Sequence, residues 1–245
     1  MSMSTYIVFG ATGGIGSETA RRLISQDSRV VLVGRSGPKL SELSEELQSE
    51  TFEIDVADPE SVEGVARKVV EEYGRIDGMT NCAGSLLLKP AHLTSQEEWN
   101  STIKANLDTA FSVVRAAGKV MTDGGSVVLV SSAAARLGLA NHEAIAAAKA
   151  GVLGLMLSAS ATYGSRGLRF NAVAPGLVKT PMTERITRSE AATKASEAMH
   201  AMGRLGEPGD VASMITWLLD PEQSWVTGQV FGVDGGLATV RTRGS

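Results

Sequence analysis

The run Gly10-Ala11-Thr12-Gly13-Gly14-Ile15-Gly16 constrains this chain more than any other stretch. It follows the apolar residues Tyr6-Ile7-Val8-Phe9 and opens a helical pattern that ends near Gln26. Glycines let the backbone turn tightly and lie close to a ligand, and free N–H groups at a helix start attract a pyrophosphate. A strand, a glycine turn and a helix in that order make a dinucleotide-binding unit. Glycine turns also join strands to helices with no ligand. Here the turn sits at the first strand–helix junction, with enough chain behind it for several more such units, and that favours the binding reading.

The rest of the chain keeps the rhythm. Arg29–Val33 reads as a buried parallel strand, Pro38–Gln48 as an amphipathic helix, and Thr51–Asp55 as a third strand. After the second strand a site for NAD would place an acid to bind the ribose hydroxyls; this chain has Gly34, then Arg35 and Ser36. A guanidinium there suits a 2′-phosphate, so NADP(H) is the expected cofactor, the plainer alternative being a solvated loop charge. Asp55-Val56 ends the third strand, where a carboxylate and a backbone N–H can meet an adenine edge. Asp58-Pro59 caps and starts a helix. Ile76–Thr80 leads into Asn81-Cys82-Ala83-Gly84, whose small residues leave room for a ligand; Asn81 is read as a tie between neighbouring strands.

One long helical stretch is expected over residues 95–120, with Asn106 inside it, an unfavourable place for an asparagine unless its amide has a task. Val127–Val130 is a strand ending in Ser131-Ser132, and a helix bearing Lys149 follows. Arg169–Val173 is a strand broken by Pro175-Gly176. A Met- and Ala-rich helical stretch from Thr180 to about Met202 then interrupts the rhythm and reads as a lid at about 182–203. Pro208–Leu219 is a last helix and Gly228–Val233 a last strand, before a tail with Arg241 and Arg243 that shows no pattern. The result is an α/β chain: a single Rossmann-like, doubly wound domain over 1–245, with about seven parallel strands and helices on both faces.

Composition narrows the function classes. A net charge of -4 gives no bulk attraction to nucleic acid or anionic lipid. The single cysteine, Cys82, excludes an internal disulfide and reads as a buried, inert thiol. No leader pattern opens the sequence, and no stretch is read as long and apolar enough to span a membrane, so the expected address is the cytoplasm. No metal-ligand pattern is found.

By these residues the chain resembles the short-chain dehydrogenase/reductase family, especially its 3-oxoacyl-acyl-carrier-protein reductase-like members. Gly10, Gly14 and Gly16 match the family's cofactor glycines, although Phe9 stands where a threonine is common. Asp55-Val56 matches the adenine pair, and Asn81-Cys82-Ala83-Gly84 resembles the family's Asn-Asn-Ala-Gly. Pro175-Gly176, Thr180-Pro181-Met182, the turn from Gly203 to Pro208 and Val233-Asp234-Gly235-Gly236 are similar to family signatures. The resemblance implies a cofactor set of Gly10, Thr12, Gly13, Gly14, Ile15, Gly16, Arg35, Ser36, Asp55, Val56, Asn81, Ala83, Gly84, Lys149, Pro175, Gly176, Val178 and Thr180. It implies catalytic roles for Asn106, Ser132 and Lys149, a small-molecule substrate and a homotetramer.

One match fails. The family carries a tyrosine four residues before its lysine, and this chain has Ile145 there. Tyr6, Tyr73 and Tyr163 fall elsewhere; Tyr163 is fourteen residues past Lys149, about four helical turns away. In the family this tyrosine exchanges a proton with the substrate oxygen, and losing such an acid typically costs about 10²–10⁴-fold. Three substitutes are open: Lys149 with a ribose hydroxyl and water, His142 three residues before Ile145, or a substrate activated by conjugation, as in the 2,4-dienoyl-CoA reductases. The expected function is therefore an NADP(H)-dependent oxidoreductase on a carbonyl/alcohol or conjugated carbonyl substrate. The alternatives are an NADP(H)-binding sensor or partner protein without catalysis and, more weakly, a lyase or dehalogenase-like enzyme.

Overall fold

The computed structural model describes residues 3–35 and 37–241. Among them seven parallel strands form one sheet in the order β3-β2-β1-β4-β5-β6-β7. The strands are β1 (Thr5–Phe9), β2 (Arg29–Gly34), β3 (Thr51–Glu53), β4 (Gly78–Asn81), β5 (Gly125–Val130), β6 (Leu168–Pro175) and β7 (Val230–Val233). The helices are α1 (Gly14–Ser25), α2 (Gly37–Leu47), α3 (Pro59–Tyr73), α4 (Gln96–Ile103), α5 (Thr109–Val120), α6 (Glu143–Tyr163), α7 (Glu184–Thr187), α8 (Glu190–Met199) and α9 (Pro208–Leu219).

Strand alternation builds two cores. Ile7, Phe9, Val31, Val33, Val127 and Leu129 face α3, α5 and α6, while Tyr6, Val8, Val30, Leu32 and Val128 face α1, α2 and α9. A strand buried on both faces reads as a continuous apolar run, and this periodicity of two divides its residues between the layers. β1 lies between β2 and β4, so the winding reverses there and a crevice opens at the carboxyl ends of the strands.

Local signals set most boundaries. Asp58 caps α3 by accepting from the Glu60 and Ser61 N–H groups, with Pro59 in the first turn, and Ser95 and Glu98 form a reciprocal capping box on α4. The long helical stretch expected over residues 95–120 is present but not uniform. Lys104–Asp108 widens into a π turn between α4 and α5, with buried Asn106 in it. The lid stretch is likewise not one helix: Ser189 accepts from the Ala192 N–H and caps α8, which separates it from the short α7.

The expectation of no membrane-length segment is corrected. Glu143–Arg166 runs for 24 residues with a mean hydropathy of 1.6 in its most apolar window, enough by length and composition to cross a membrane. Here it lies against the sheet, seating Ala144, Ala148, Val152, Met156 and Ala159 on its buried face.

Candidate functional site

The crevice begins at the glycine turn. Gly10 has a φ of 73°, and a Cβ there would lie 2.5 Å from the Ala83 nitrogen. The Gly10 and Ala11 N–H groups donate to the Val33 carbonyl at 2.8 and 3.0 Å, which fixes the turn across β2. A Cβ on Gly16 would run into the Gly10 carbonyl, so glycine lets α1 start directly under the turn. No side chain caps α1 at Gly13, which leaves the N–H groups of its first turn for a ligand. The turn therefore fits a pyrophosphate.

A cavity of about 450 Å³ extends from this turn across the ends of β2 and β3. Gly10, Thr12, Gly13, Arg35, Asp55, Val56, Ala83 and Gly84 line it, as does Lys39. Asp55 accepts from the Ala57 N–H, which with Lys104 at 3.1 Å holds its carboxyl below the ordinary carboxylate range. Ser36, expected beside Arg35, lies outside the described residues.

A second cavity of about 540 Å³ adjoins the first, the two sharing Cys82, Ala83, Gly84 and Met182. Its lining includes Ile15, Asn106, Ser132, His142, Ile145, Lys149, Pro175, Gly176, Val178 and Thr180. Gly84 is the meeting point: a Cβ there would be 2.8 Å from Asn106 Oδ1 and 3.5 Å from Lys149 Nζ. Asn106 Nδ2 donates to the Thr102 carbonyl at 2.9 Å and to Ser85 Oγ at 3.0 Å, and its Oδ1 accepts from the Ser85 N–H. Lys149 is buried and donates to the Val130 carbonyl at 2.8 Å. Burial pulls its pKa down to about 8. Ser132 lies two residues past β5, where it caps the short turn Ala133–Ala135 by accepting from the Ala134 N–H at 3.1 Å. That contact is also what a plain strand-end hydroxyl would make, and the cavity wall gives the side chain its second setting.

Ile145 is buried one turn before Lys149 and lines this cavity; none of the three tyrosines does. Tyr163 packs against Phe170, its ring centroid 5.7 Å away. His142 is the N-cap residue of α6 and not a member of its helical face, and its Nδ1 pairs with the Ala140 carbonyl at 2.7 Å. Cys82 carries a thiol that burial pushes up to about 11, which makes it a poor nucleophile.

Three expected cofactor residues line neither cavity. Gly14 lies under Thr180, and Gly16 packs on the turn. Asn81 does not tie strand to strand: it donates to Thr109 Oγ1 on α5 at 3.1 Å and accepts from the Ala83 N–H at 3.1 Å, because its side chain points off the sheet. Sequence reasoning missed Lys39 and Lys104 on the nucleotide side, Ser85 beside Asn106, and His200. Buried His200 accepts from the Leu177 N–H through Nε2 at 3.3 Å, while Nδ1 meets the Ser196 carbonyl at 2.6 Å. Nδ1 therefore carries the proton. Both ends of the segment from Leu177 to His200 are fastened by this one ring. Lys39, in the first turn of α2 and four residues after Arg35, was readable as a second cation; nothing local marked His200.

The family described as Enoyl-(Acyl carrier protein) reductase matches residues 10–238. A 3-oxoacyl-[acyl-carrier-protein] reductase of Thermotoga maritima is 36% identical over 241 residues, 94% of this chain and 96% of that protein. A short-chain type dehydrogenase/reductase from Mycobacterium ulcerans superposes with a TM-score of 0.93 at 31% identity, over 98% of this chain and 92% of that one. A variant actinorhodin polyketide ketoreductase with NADPH gives a TM-score of 0.92 at 29% identity, over 98% and 100%. This chain belongs to the short-chain dehydrogenase/reductase family. It is an oxidoreductase on a fold that binds nicotinamide cofactors, and these named reductases do not favour the non-catalytic alternative.

Proposed function

We propose that this chain is an NADP(H)-dependent reductase or dehydrogenase for a carbonyl/alcohol pair or a conjugated carbonyl, with Lys149 as its proton donor. The observation that carries the reading is the second cavity, which meets the first at Gly84 and is lined by Asn106, Ser132 and buried Lys149 but by no tyrosine.

Gly10, Thr12 and Gly13 would hold the pyrophosphate, Asp55 and Val56 the adenine, and Arg35 with Lys39 a 2′-phosphate; the bound NADPH supplies a hydride. Gly14, Gly16 and Asn81 shape this site from behind its walls, while Pro175, Gly176, Val178 and Thr180 border the nicotinamide end. Ser132 donates to the substrate oxygen and stabilises the charge that develops there. Lys149, an ammonium with a pKa of about 8, passes a proton to that oxygen. Asn106 fixes Ser85 and the Gly84 turn beside the Lys149 amine. Ile145, in the family tyrosine's place, keeps water off the amine. His142 is a weaker candidate, because its Nδ1 is already engaged.

We also read the chain as a single domain with residues 182–203 as its lid, and as a cytoplasmic homotetramer. Exposed Phe111 and Leu157, on α5 and α6, support an assembly surface along these helices.

Purified protein with NADPH and a panel of ketones, quinones and conjugated acyl thioesters tests the reading by nicotinamide absorbance. Slow turnover is expected, rising about 10²–10⁴-fold in Ile145→Tyr on simple ketones. Absence of NADPH oxidation by both proteins across the panel would refute it.

A further inference from the structure

Resting on the reductase reading, we infer that the second cavity takes an uncharged carbonyl compound with a hydrocarbon body, its oxygen at Ser132 and Lys149 and its chain under the lid. The cavity is divided by chemistry. Its floor, at the ends of β4 and β5, carries Asn106, Ser132 and Lys149. Its far walls are apolar: Leu86 and Ile145 on one side, Leu177, Met182, Ile186 and Met199 on the lid side.

The threonine hydroxyls of the lid are spoken for. Thr183 Oγ1 donates to the Val178 carbonyl at 2.5 Å and pairs with Thr180 Oγ1 at 3.2 Å. On the floor, Ser131 Oγ donates to the Lys149 carbonyl at 2.8 Å. A polyol would find partners at the floor and at Ser85, His142 and Ser196, but would lose water from its remaining hydroxyls against the leucine, isoleucine and methionine walls. A substrate carboxylate would be worse placed, because the cavity's charged lining residue, Lys149, is held at the floor by Val130. The volume of about 540 Å³ exceeds what a short polar carbonyl needs and lies within the range of about 300–1,000 Å³ usual for drug-sized ligands. Met182 and Met199 are about half exposed, at 49% and 51%. Unbranched and polarisable, they form a wall that adapts to different hydrocarbon outlines.

Binding, not turnover, tests this, so that a slow chemical step does not hide it. Calorimetry first measures NADP+ on the full-length protein. The NADP+-saturated protein is then titrated with 2-butanone, 2-hexanone and 2-octanone, with erythrulose as the polyol ketone and 4-oxopentanoate as the carboxylate. Affinity is expected to rise about threefold to fourfold per added methylene. Erythrulose and 4-oxopentanoate are expected to bind at least tenfold more weakly than 2-hexanone. Ile186→Asp and, on the second lid helix, Met199→Lys should each weaken 2-octanone at least tenfold, with NADP+ affinity within twofold of the parent. Failure of NADP+ to bind overturns the reductase reading. Normal NADP+ binding with a flat ketone series, with erythrulose or 4-oxopentanoate matching 2-hexanone, or with lid variants that leave 2-octanone unaffected, overturns this inference alone.

Discussion

Replacing Lys149 with methionine should stabilise the protein at neutral pH and reverse that effect in alkali. The lysine is 7% exposed and its amine has one hydrogen bond, to the Val130 carbonyl at 2.8 Å. Its pKa falls from 10.5 to about 8, mainly through burial, with a small opposing effect from Cys82. The folded state thus binds this proton more weakly than the unfolded chain does, so the ammonium destabilises the fold. At about 1.4 kcal/mol per unit the fall corresponds to about 3 kcal/mol. That cost is fully present below pH 8 and fades between pH 8 and pH 10.5, where the unfolded lysine also loses its proton. Methionine keeps most of the stem and carries no charge, but leaves a buried carbonyl unpaired, a loss of about 1–3 kcal/mol. The variant should therefore gain about 1 kcal/mol at pH 7, and the parent should overtake it by about 2 kcal/mol near pH 10.5. Urea unfolding of both cofactor-free proteins at neutral and alkaline pH measures the crossover. A stability difference that stays constant across the range would show that Lys149 titrates as an ordinary lysine and would remove the argument for it as the acid.

Two further changes probe the walls of the site. Arg35→Ser should lower NADPH affinity about tenfold or more and leave NADH nearly unchanged, since a charge-assisted bond to a phosphate contributes about 1.5–3 kcal/mol. Titration by cofactor fluorescence gives both constants; no loss for either cofactor would make Arg35 a solvated charge, and equal losses would place it on a part of the cofactor that both share. His200→Ala leaves the Leu177 N–H without its acceptor and empties a buried site, so it should cost about 2–4 kcal/mol in urea unfolding and speed proteolysis between Leu177 and His200. Cleavage no faster than in the parent would mean the ring does not hold the segment.

The fold was legible because its signals are local. The glycine turn, Asp58-Pro59 and Pro208 each mark a helix start through one or two residues, and apolar runs of four to six residues mark strands buried on both faces. What escaped depends on partners far apart in the chain. The π turn around Asn106 involves Ser85, twenty-one residues away, and His200 meets Leu177 from twenty-three residues away. The apolar length of α6 was missed for a related reason. It packs on the sheet through small residues such as Ala144 and Ala148, and one buried lysine breaks the apolar run without lowering its mean enough to disqualify it. Lys149 read equally as a solvated helix lysine until its burial was seen, because helical spacing says which face a residue occupies and not how deep that face lies.

Ile145 and Lys149 explain each other. They lie one turn apart on α6, at 3% and 7% exposure. A branched hydrocarbon one turn away on the same helix can shield an ammonium from water, and desolvation by burial is the first cause of the lysine's lowered pKa. In the reading proposed above, the residue that removes the phenolic acid is thus the one that makes the lysine acidic enough to replace it near neutral pH. Ile145→Ser separates these effects, because a small hydroxyl admits water without supplying an acid in the useful range. Lys149 should climb back toward 10.5, by at least the one unit that a new hydrogen bond of about 1.4 kcal/mol would give. The alkaline limb of kcat for NADPH oxidation, expected near pH 8 in the parent, should then move up by the same amount. If the limb stays in place while circular dichroism and NADPH affinity match the parent, the titrating group is not Lys149 and the proton reaches the substrate by another route.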